Sequence, residues 1–199
     1  NLALLRRDPP LPAEEQADIL NDLISESERL GRLVSDLLTL ARTDAGRKLL
    51  SAPVPVKEIA ADTCRQALLL APDREISYHA SNDALMALAN EDALKQVLLI
   101  LLDNAIKHTE GPIDVSVGQN ETQVTIRVRD SGPGVQPEFQ ARLFDRFYCG
   151  DASRSTPGFG FGLSIARALT EAQQGSIAME SHMGEGSTFV VTLPKAEEI

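Results

Sequence analysis

The chain has 199 residues, 43 % hydrophobic and 24 % charged, with 13 Gly and 11 Pro. That composition suits one or two globular domains and excludes collagen-like, low-complexity and disordered classes. Basic residues number 19 against 29 acidic, a net charge of -10, which argues against a uniformly basic nucleic-acid or anionic-membrane binder because phosphate contacts need clustered cations. Cys64 and Cys149 form no CxxC or Cys/His cluster, so neither a disulfide framework nor a zinc site is indicated, and a reducing, cytoplasmic setting is expected. The longest apolar runs, Leu68 to Ala71 and Val97 to Leu102, fall far short of the ~20 residues that span a bilayer, so these residues are expected to hold no membrane segment, and no signal peptide opens the chain.

Asn1 runs directly into Leu2, Ala3, Leu4 and Leu5, which reads as a fragment beginning inside a helix. After the break at Asp8-Pro9-Pro10-Leu11-Pro12, the residues Leu20, Leu23, Ser27, Leu30, Val34, Leu37 and Ala41 follow alternating steps of three and four, the seam of a long helix. Ile19, Ile24, Leu33 and Leu38 widen the stripe toward a helical bundle. Acids at 14, 15, 18, 22, 26, 28 and 36 outnumber Arg29 and Arg32 there, a solvated outer face or a docking face. Gly46 ends the helix, and Ser51-Ala52-Pro53-Val54-Pro55-Val56 reads as a short, stiff connection.

Beyond it the pattern turns mixed. A helix is predicted from about Lys57 to Leu70, strands at 75–80 and 85–89, and a strongly apolar helix from Glu91 to about His108. Ile113/Val115/Val117 and Val124/Ile126/Val128 alternate around Gly118-Gln119-Asn120-Glu121 like a hairpin. A short helix near 137–144, a Gly-rich loop, a helix at about 161–173 and strands at 176–181 and 188–193 complete the chain. Helices covering one mixed sheet, an α+β sandwich, is the natural architecture.

Three clusters carry chemistry. In Asp103-Asn104-Ala105-Ile106-Lys107-His108, helical spacing places Asn104, Lys107 and His108 on one face, opposite Val97, Leu98, Leu101 and Leu102. An amide oxygen suits Mg²⁺, and a lysine one turn away can meet phosphates that the metal bridges; an exposed polar helix face would look the same. In Asp130-Ser131-Gly132-Pro133-Gly134, glycines let backbone approach a flat ligand while a strand-end carboxylate can accept from an exocyclic amine; an ordinary turn uses the same residues. In Gly158-Phe159-Gly160-Phe161-Gly162-Leu163, glycines before a helix expose N–H groups to an anion, or serve as a hinge. That run lacks the Gly-Lys-Ser/Thr of a Walker loop and the strand and acid of a Rossmann fingerprint.

Taken in order, these clusters resemble a bacterial sensor histidine kinase core with the Bergerat-type ATP-binding fold, over residues 57–199. Residues 98–109 resemble the family's N box, 130–134 its first glycine box, Leu143-Phe144-Asp145-Arg146-Phe147-Tyr148 its F box, 158–163 its second glycine box, and Gly184 to Phe189 its closing hairpin. The resemblance implies that residues 1–50 are an incomplete dimerisation and phosphotransfer region, 51–56 a linker, and 57–199 the catalytic domain. It implies that Asn104 holds Mg²⁺, Lys107 meets phosphate and His108 lines the nucleotide site. Asp130 would read the adenine amine, with Gly132 and Gly134 making room and Thr188 near the base. Gly158, Gly160 and Gly162, with Leu163, would close a lid running from about Asp145, expected to be mobile until ATP arrives. Phe144 and Phe147 would anchor that lid, and Arg146 and Tyr148 count among the nucleotide residues. A response-regulator receiver domain is the implied partner, and a homodimer forms through the helical bundle of the full protein, which is cytoplasmic or anchored at the membrane.

Three features depart from the family. Ile100 stands where the family has Asn and water-activating relatives have Glu, and an aliphatic side chain cannot act as a general base. Cys149 replaces the arginine after Phe-Tyr, leaving Arg146 or Arg154 to supply a charge-assisted contact. The only histidines are His79, His108 and His182, none in an acceptor-type helix, so the phosphoacceptor is expected upstream of residue 1. A nucleotide-binding regulatory module without catalysis remains the rival reading, and a stand-alone ATPase is disfavoured by Ile100.

Overall fold

The computed structural model describes residues 12–44, 49–81, 84–146, 148 and 160–196. The chain divides into two compact units, Asn1–Ala41 and Arg42–Ile199. The first is built on α1 (Ala13–Asp44), a 32-residue helix. Leu20, Ile24, Leu30, Val34, Leu37 and Leu38 are exposed along it, a stripe that one copy of the chain leaves uncovered.

The second unit runs β1 (Ala52–Pro55), α2 (Val56–Leu70), β2 (Ile76–Ala80), β3 (Met86–Ala89), α3 (Glu91–His108), β4 (Ile113–Gln119), β5 (Gln123–Asp130), α4 (Pro137–Gln140), α5 (Gly162–Glu171), β6 (Ser176–His182) and β7 (Gly186–Pro194). Five strands form one sheet in the order β2-β4-β5-β7-β6. β2 runs parallel to β4, and the remaining neighbours are antiparallel. The sheet is therefore mixed, and the fold is the α+β sandwich read from the sequence. Alternation turns Ile113, Val115 and Val117, then Val124, Ile126 and Val128, then Phe189, Val191 and Leu193 into one apolar layer. α3 meets it with Leu94, Val97, Leu98, Leu101 and Leu102, all buried at helical spacing.

α3 keeps the limits predicted for it because both ends are marked. Asn90 caps it by accepting from the Ala93 N–H at 3.0 Å, Glu91 and Asp92 fill the first turn, and Lys107 and His108 the last. The β4–β5 turn is held by Asn120 Oδ1, which accepts from the N–H groups of Thr122 and Gln123.

Two elements differ from the sequence reading. Residues 52–55, taken as a connection, form strand β1, paired antiparallel with β3. Pro53 and Pro55 lack an N–H, but a two-stranded ribbon asks each strand for one partner only, and Val54 buries its side chain from it while the adjoining Val56 opens α2. The helix expected over 137–144 is four residues long. It continues as turns closed by three-residue hydrogen bonds, from Arg142 N–H to Phe139 O and from Asp145 N–H to Arg142 O.

At the end of α5, Gln174 adopts φ 62°, and the Gly175 N–H closes back onto Thr170 O at 3.0 Å. This left-handed helix stop ordinarily carries glycine. Gln174→Gly should therefore raise stability by about 0.5 to 1 kcal/mol, the relieved strain less the larger unfolded-state entropy, measured as a higher denaturant midpoint at unchanged slope.

Candidate nucleotide site

The C-terminal half of α3 presents the polar face predicted for it. Asn104 is half-buried. Lys107 Nζ pairs with Asp103 Oδ2 at 2.5 Å, one turn back, so its ammonium reaches a ligand only by leaving that exposed pair. Beyond His108, the Arg74 guanidinium donates to the carbonyls of Thr109 and Gly111, placing a positive charge at the negative end of the helix. This brace steadies the segment against which Ser131 packs: a Cβ on Gly111 would come within 3.0 Å of Ser131 Cβ.

Asp130 ends β5 with its side chain on the inner face, only 5 % exposed. Burial pushes its carboxyl pKa up from the ordinary value, opposed by backbone N–H donation from Gly132 and Ser187 and by nearby His108. The Gly132 N–H lies 2.9 Å from Asp130 Oδ1. Burial likewise pushes the His108 imidazole down, with the Asp130 carboxylate pulling it up. An acid and an imidazole shifted toward their neutral forms at one strand end form an environment suited to a polar ligand.

The glycines here are sterically required. A Cβ on Gly132 would stand 2.8 Å from Asp130 Oδ1 and 3.1 Å from His108 O. Gly134 has φ +74°, and a Cβ there would meet His182 O at 2.2 Å. Gly186, at φ +90°, would place one 2.0 Å from Asp130 O. The loop after β5 and the β6–β7 hairpin therefore touch backbone to backbone.

Gly160 has φ 70°, and Gly162 and Leu163 open α5, whose N-cap Phe161 supplies no side-chain acceptor. This is the arrangement in which helix N–H groups are offered to an anion. A Cβ on Gly162 would lie 3.4 Å from Ile100 Cγ2, so α3 and the glycine-led helix meet at an aliphatic side chain one turn before Asn104.

Thr188 does not join the group. It pairs with Arg129 in β5 and Glu180 in β6, whereas Ser187 pairs with Asp130. Alternation sends Thr188 to the outer face, and the buried Ser187 is the residue beside Asp130. The signal for Ser187 was present in Phe189, Val191 and Leu193, whose period of two extends inward to 187. Arg146 is exposed after α4. Tyr148 is half-buried, with the Arg142 guanidinium 5.1 Å from its ring centroid. Phe144 packs edge-on against Phe189, centroids 6.4 Å apart. Gly158, Phe147, Cys149, Arg154 and most of the expected lid lie outside the described residues. The thiol of Cys64 is pushed up by burial to about 11, which leaves it protonated and unreactive.

Comparison with known proteins assigns the class. Residues 89–197 match the family described as histidine kinase-, DNA gyrase B-, and HSP90-like ATPase, and the chain belongs to that family. Residues 1–46 match the His Kinase A (phospho-acceptor) domain, so the chain joins a phospho-acceptor-type segment to a histidine-kinase-like ATPase domain. It is 36 % identical over 186 residues to the probable sensor histidine kinase TcrY of Mycobacterium tuberculosis, covering 91 % of this chain and 39 % of that protein. It is 34 % identical over 200 residues to the sensor protein SrrB of Staphylococcus aureus, covering 92 % of this chain and 33 % of that one. The chain thus spans little more than a third of these relatives. A crystal structure of full-length ShkA in complex with AMPPNP superposes with a TM-score of 0.81 at 31 % identity, over 98 % of this chain and 41 % of that one. Among the described residues, no helix is long and apolar enough to cross a membrane.

The raised pKa of Asp130 fixes the sign of its effect on stability. The folded state holds the proton more tightly than the unfolded state, so the stability present below the unfolded value of 3.8 is lost as pH rises through the folded one. At pH 7 the buried charge is a net burden on the fold. Asp130→Asn should accordingly melt at or above the parent temperature at pH 7, the advantage vanishing toward pH 3, as followed by circular dichroism.

Proposed function

We propose that this chain binds Mg²⁺·ATP between the end of α3, the end of β5 and the start of α5, and delivers the γ-phosphate to a histidine for relay to the aspartate of a response-regulator receiver domain. The observation that carries the reading is the buried Asp130 carboxylate flanked by Gly132 and Gly134, where close backbone approach leaves room for a flat base and the acid can accept from its amine. His108 lines the same end of the site, and Ser187, beside Asp130 in the strand register, joins it there where Thr188 was expected near the base.

The donor set suits a metal carried by the nucleotide. Among the described residues, no group of three His, Cys, Asp or Glu side chains could hold an ion. The half-buried Asn104 amide offers one hard oxygen, as Mg²⁺ with phosphate and water ligands requires. When bound, the ion neutralises charge on the phosphate oxygens. Lys107, released from Asp103, meets a phosphate, and the N–H groups at Gly160, Gly162 and Leu163 cradle the others. Arg146 and Tyr148 border the site from the segment after α4. Phosphoryl transfer asks chiefly for positioning and charge stabilisation, and these groups supply both.

Residues 1–50 are assigned to the dimerisation and phosphotransfer region, 51–56 to the junction and 57–199 to the catalytic domain. The exposed stripe of α1 is covered by partner helices in a homodimeric bundle. The acceptor histidine belongs to residues other than those here. His79 sits on β2 paired with Asp114 at 3.1 Å, His108 ends α3 and His182 ends β6, none on α1. The full protein works at the cytoplasmic side, with or without a membrane anchor. Ile100, lacking a proton acceptor against Gly162, favours a second reading in which nucleotide regulates the protein without transfer.

Radiolabelled ATP separates the readings. This chain should bind ATP, lose at least tenfold in affinity on Asp130→Asn and on Asn104→Ala, and carry no acid-labile phosphate. The same chain extended to include its acceptor histidine should become labelled, and more slowly as Asn104→Ala. An extended protein that binds ATP without labelling would establish the regulatory reading instead.

A further inference from the structure

Two side chains with no place in the nucleotide constellation hold its glycine loop. Gln140, the last residue of α4, donates both hydrogens of its amide, to Val135 O at 2.8 Å and to Ser181 O at 3.0 Å. Ser181 Oγ, on β6, accepts from the Val135 N–H at 2.9 Å and donates to Gly186 O at 2.8 Å. With that proton committed, the 3.0 Å contact between Ser181 Oγ and Ser187 Oγ has Ser187 as donor. Both main-chain polar groups of Val135 are thus held by side chains from outside the loop. The Gly184 N–H adds a bond to Pro133 O at 2.8 Å.

This clasp touches the base site at two points. Ser187 stands beside Asp130 in the register, and Gly186, whose carbonyl takes the Ser181 proton, abuts Asp130 O. A loop containing Gly132 and Gly134 has wide backbone freedom of its own. Ordering it on arrival of a ligand would subtract from affinity.

We infer that Gln140 and Ser181 are positioning residues for nucleotide binding, fixing residues 131–135 against the β6–β7 hairpin so that the loop is already open to the base. The inference rests on the reading of Asp130 as the base-recognising acid. It assigns to the two residues a role on the base side of the ligand, shared by ATP and ADP, and independent of the γ-phosphate.

The test uses the full 199-residue chain and calorimetry with ATP and with ADP. Gln140→Glu keeps size and shape but at pH 7 turns two acceptors toward two carbonyl oxygens, while Ser181→Thr keeps the hydroxyl that Ser181→Ala removes. Gln140→Glu and Ser181→Ala should each weaken ATP and ADP by the same factor, about tenfold, and speed hydrogen exchange at the Val135 amide. Ser181→Thr should remain within twofold of the parent. If Gln140→Glu does not fold, Gln140→Met, similar in length and without donors, serves in its place and should behave alike. Parental affinity in the donor-less Gln140 variant, or a loss confined to ATP, overturns the inference alone. A parent chain that binds neither nucleotide overturns it together with the base-site reading.

Discussion

The close approach of two backbones at the end of β5 governs the rest of the second unit. Gly186 lies so near the Asp130 carbonyl that any side chain would collide with it, and the same proximity lets Ser187 donate to the Asp130 carboxylate, alongside the local bond from Gly132. Burial of that carboxylate is unfavourable for the ion, and the two N–H groups offset it only in part, since its pKa still lies above the ordinary value. A fold optimised for stability alone would place a neutral residue there. A buried acid left with acceptor capacity at the open end of a central strand is what a site for a donor-bearing ligand requires.

That constraint radiates through elements far apart in the chain. β5 and β7 must be neighbours to bring residues 130 and 187 together, which in turn puts the β6–β7 hairpin under the 131–135 loop. α3 must cross the apolar layer so that His108 ends beside Asp130, and Arg74 grips the carbonyls just beyond it. The packed leucines of α3 hold the polar end of that helix at one height over the sheet, and a shift of one turn would carry Asn104 about 5.4 Å away from its place.

Most of this was legible where the pattern is local. The limits of α3 followed from Asn90, the apolar spacing and the charges in its end turns, and the β4–β5 hairpin followed from strict alternation about Asn120. β1 escaped because Pro-Val-Pro looks like a connector until a partner strand is known. Thr188 was chosen by motif resemblance, whereas strand parity turns it outward and sets Ser187 beside Asp130. Gln140 and Ser181 gave no signal, since their bonds join residues up to 46 positions apart and depend on the sheet order. The lid region, including Gly158 and Cys149, is outside what the structure describes.

The contact between Ile100 and Gly162 bears on what this site can do with ATP. An Asn or Glu at position 100 would place a polar group between the turn of α3 that carries Asn104 and the start of α5, within reach of a water. Ile100 instead sets a methyl group 3.4 Å from where a Gly162 Cβ would stand, and that methyl group neither accepts a proton nor ligates a metal. Of the ionisable groups near this face of α3, Asp103 is exposed and pairs with Lys107, and His108 ends the helix beside Asp130, two residues past Ile106 and two turns beyond Ile100. Hydrolysis is thereby disfavoured relative to attack by a nucleophile that arrives with its own base. Ile100 therefore suits nucleotide binding without transfer, and transfer to a histidine brought in on another helix survives it only because such an acceptor asks the site for aligned phosphates and not for an activated water.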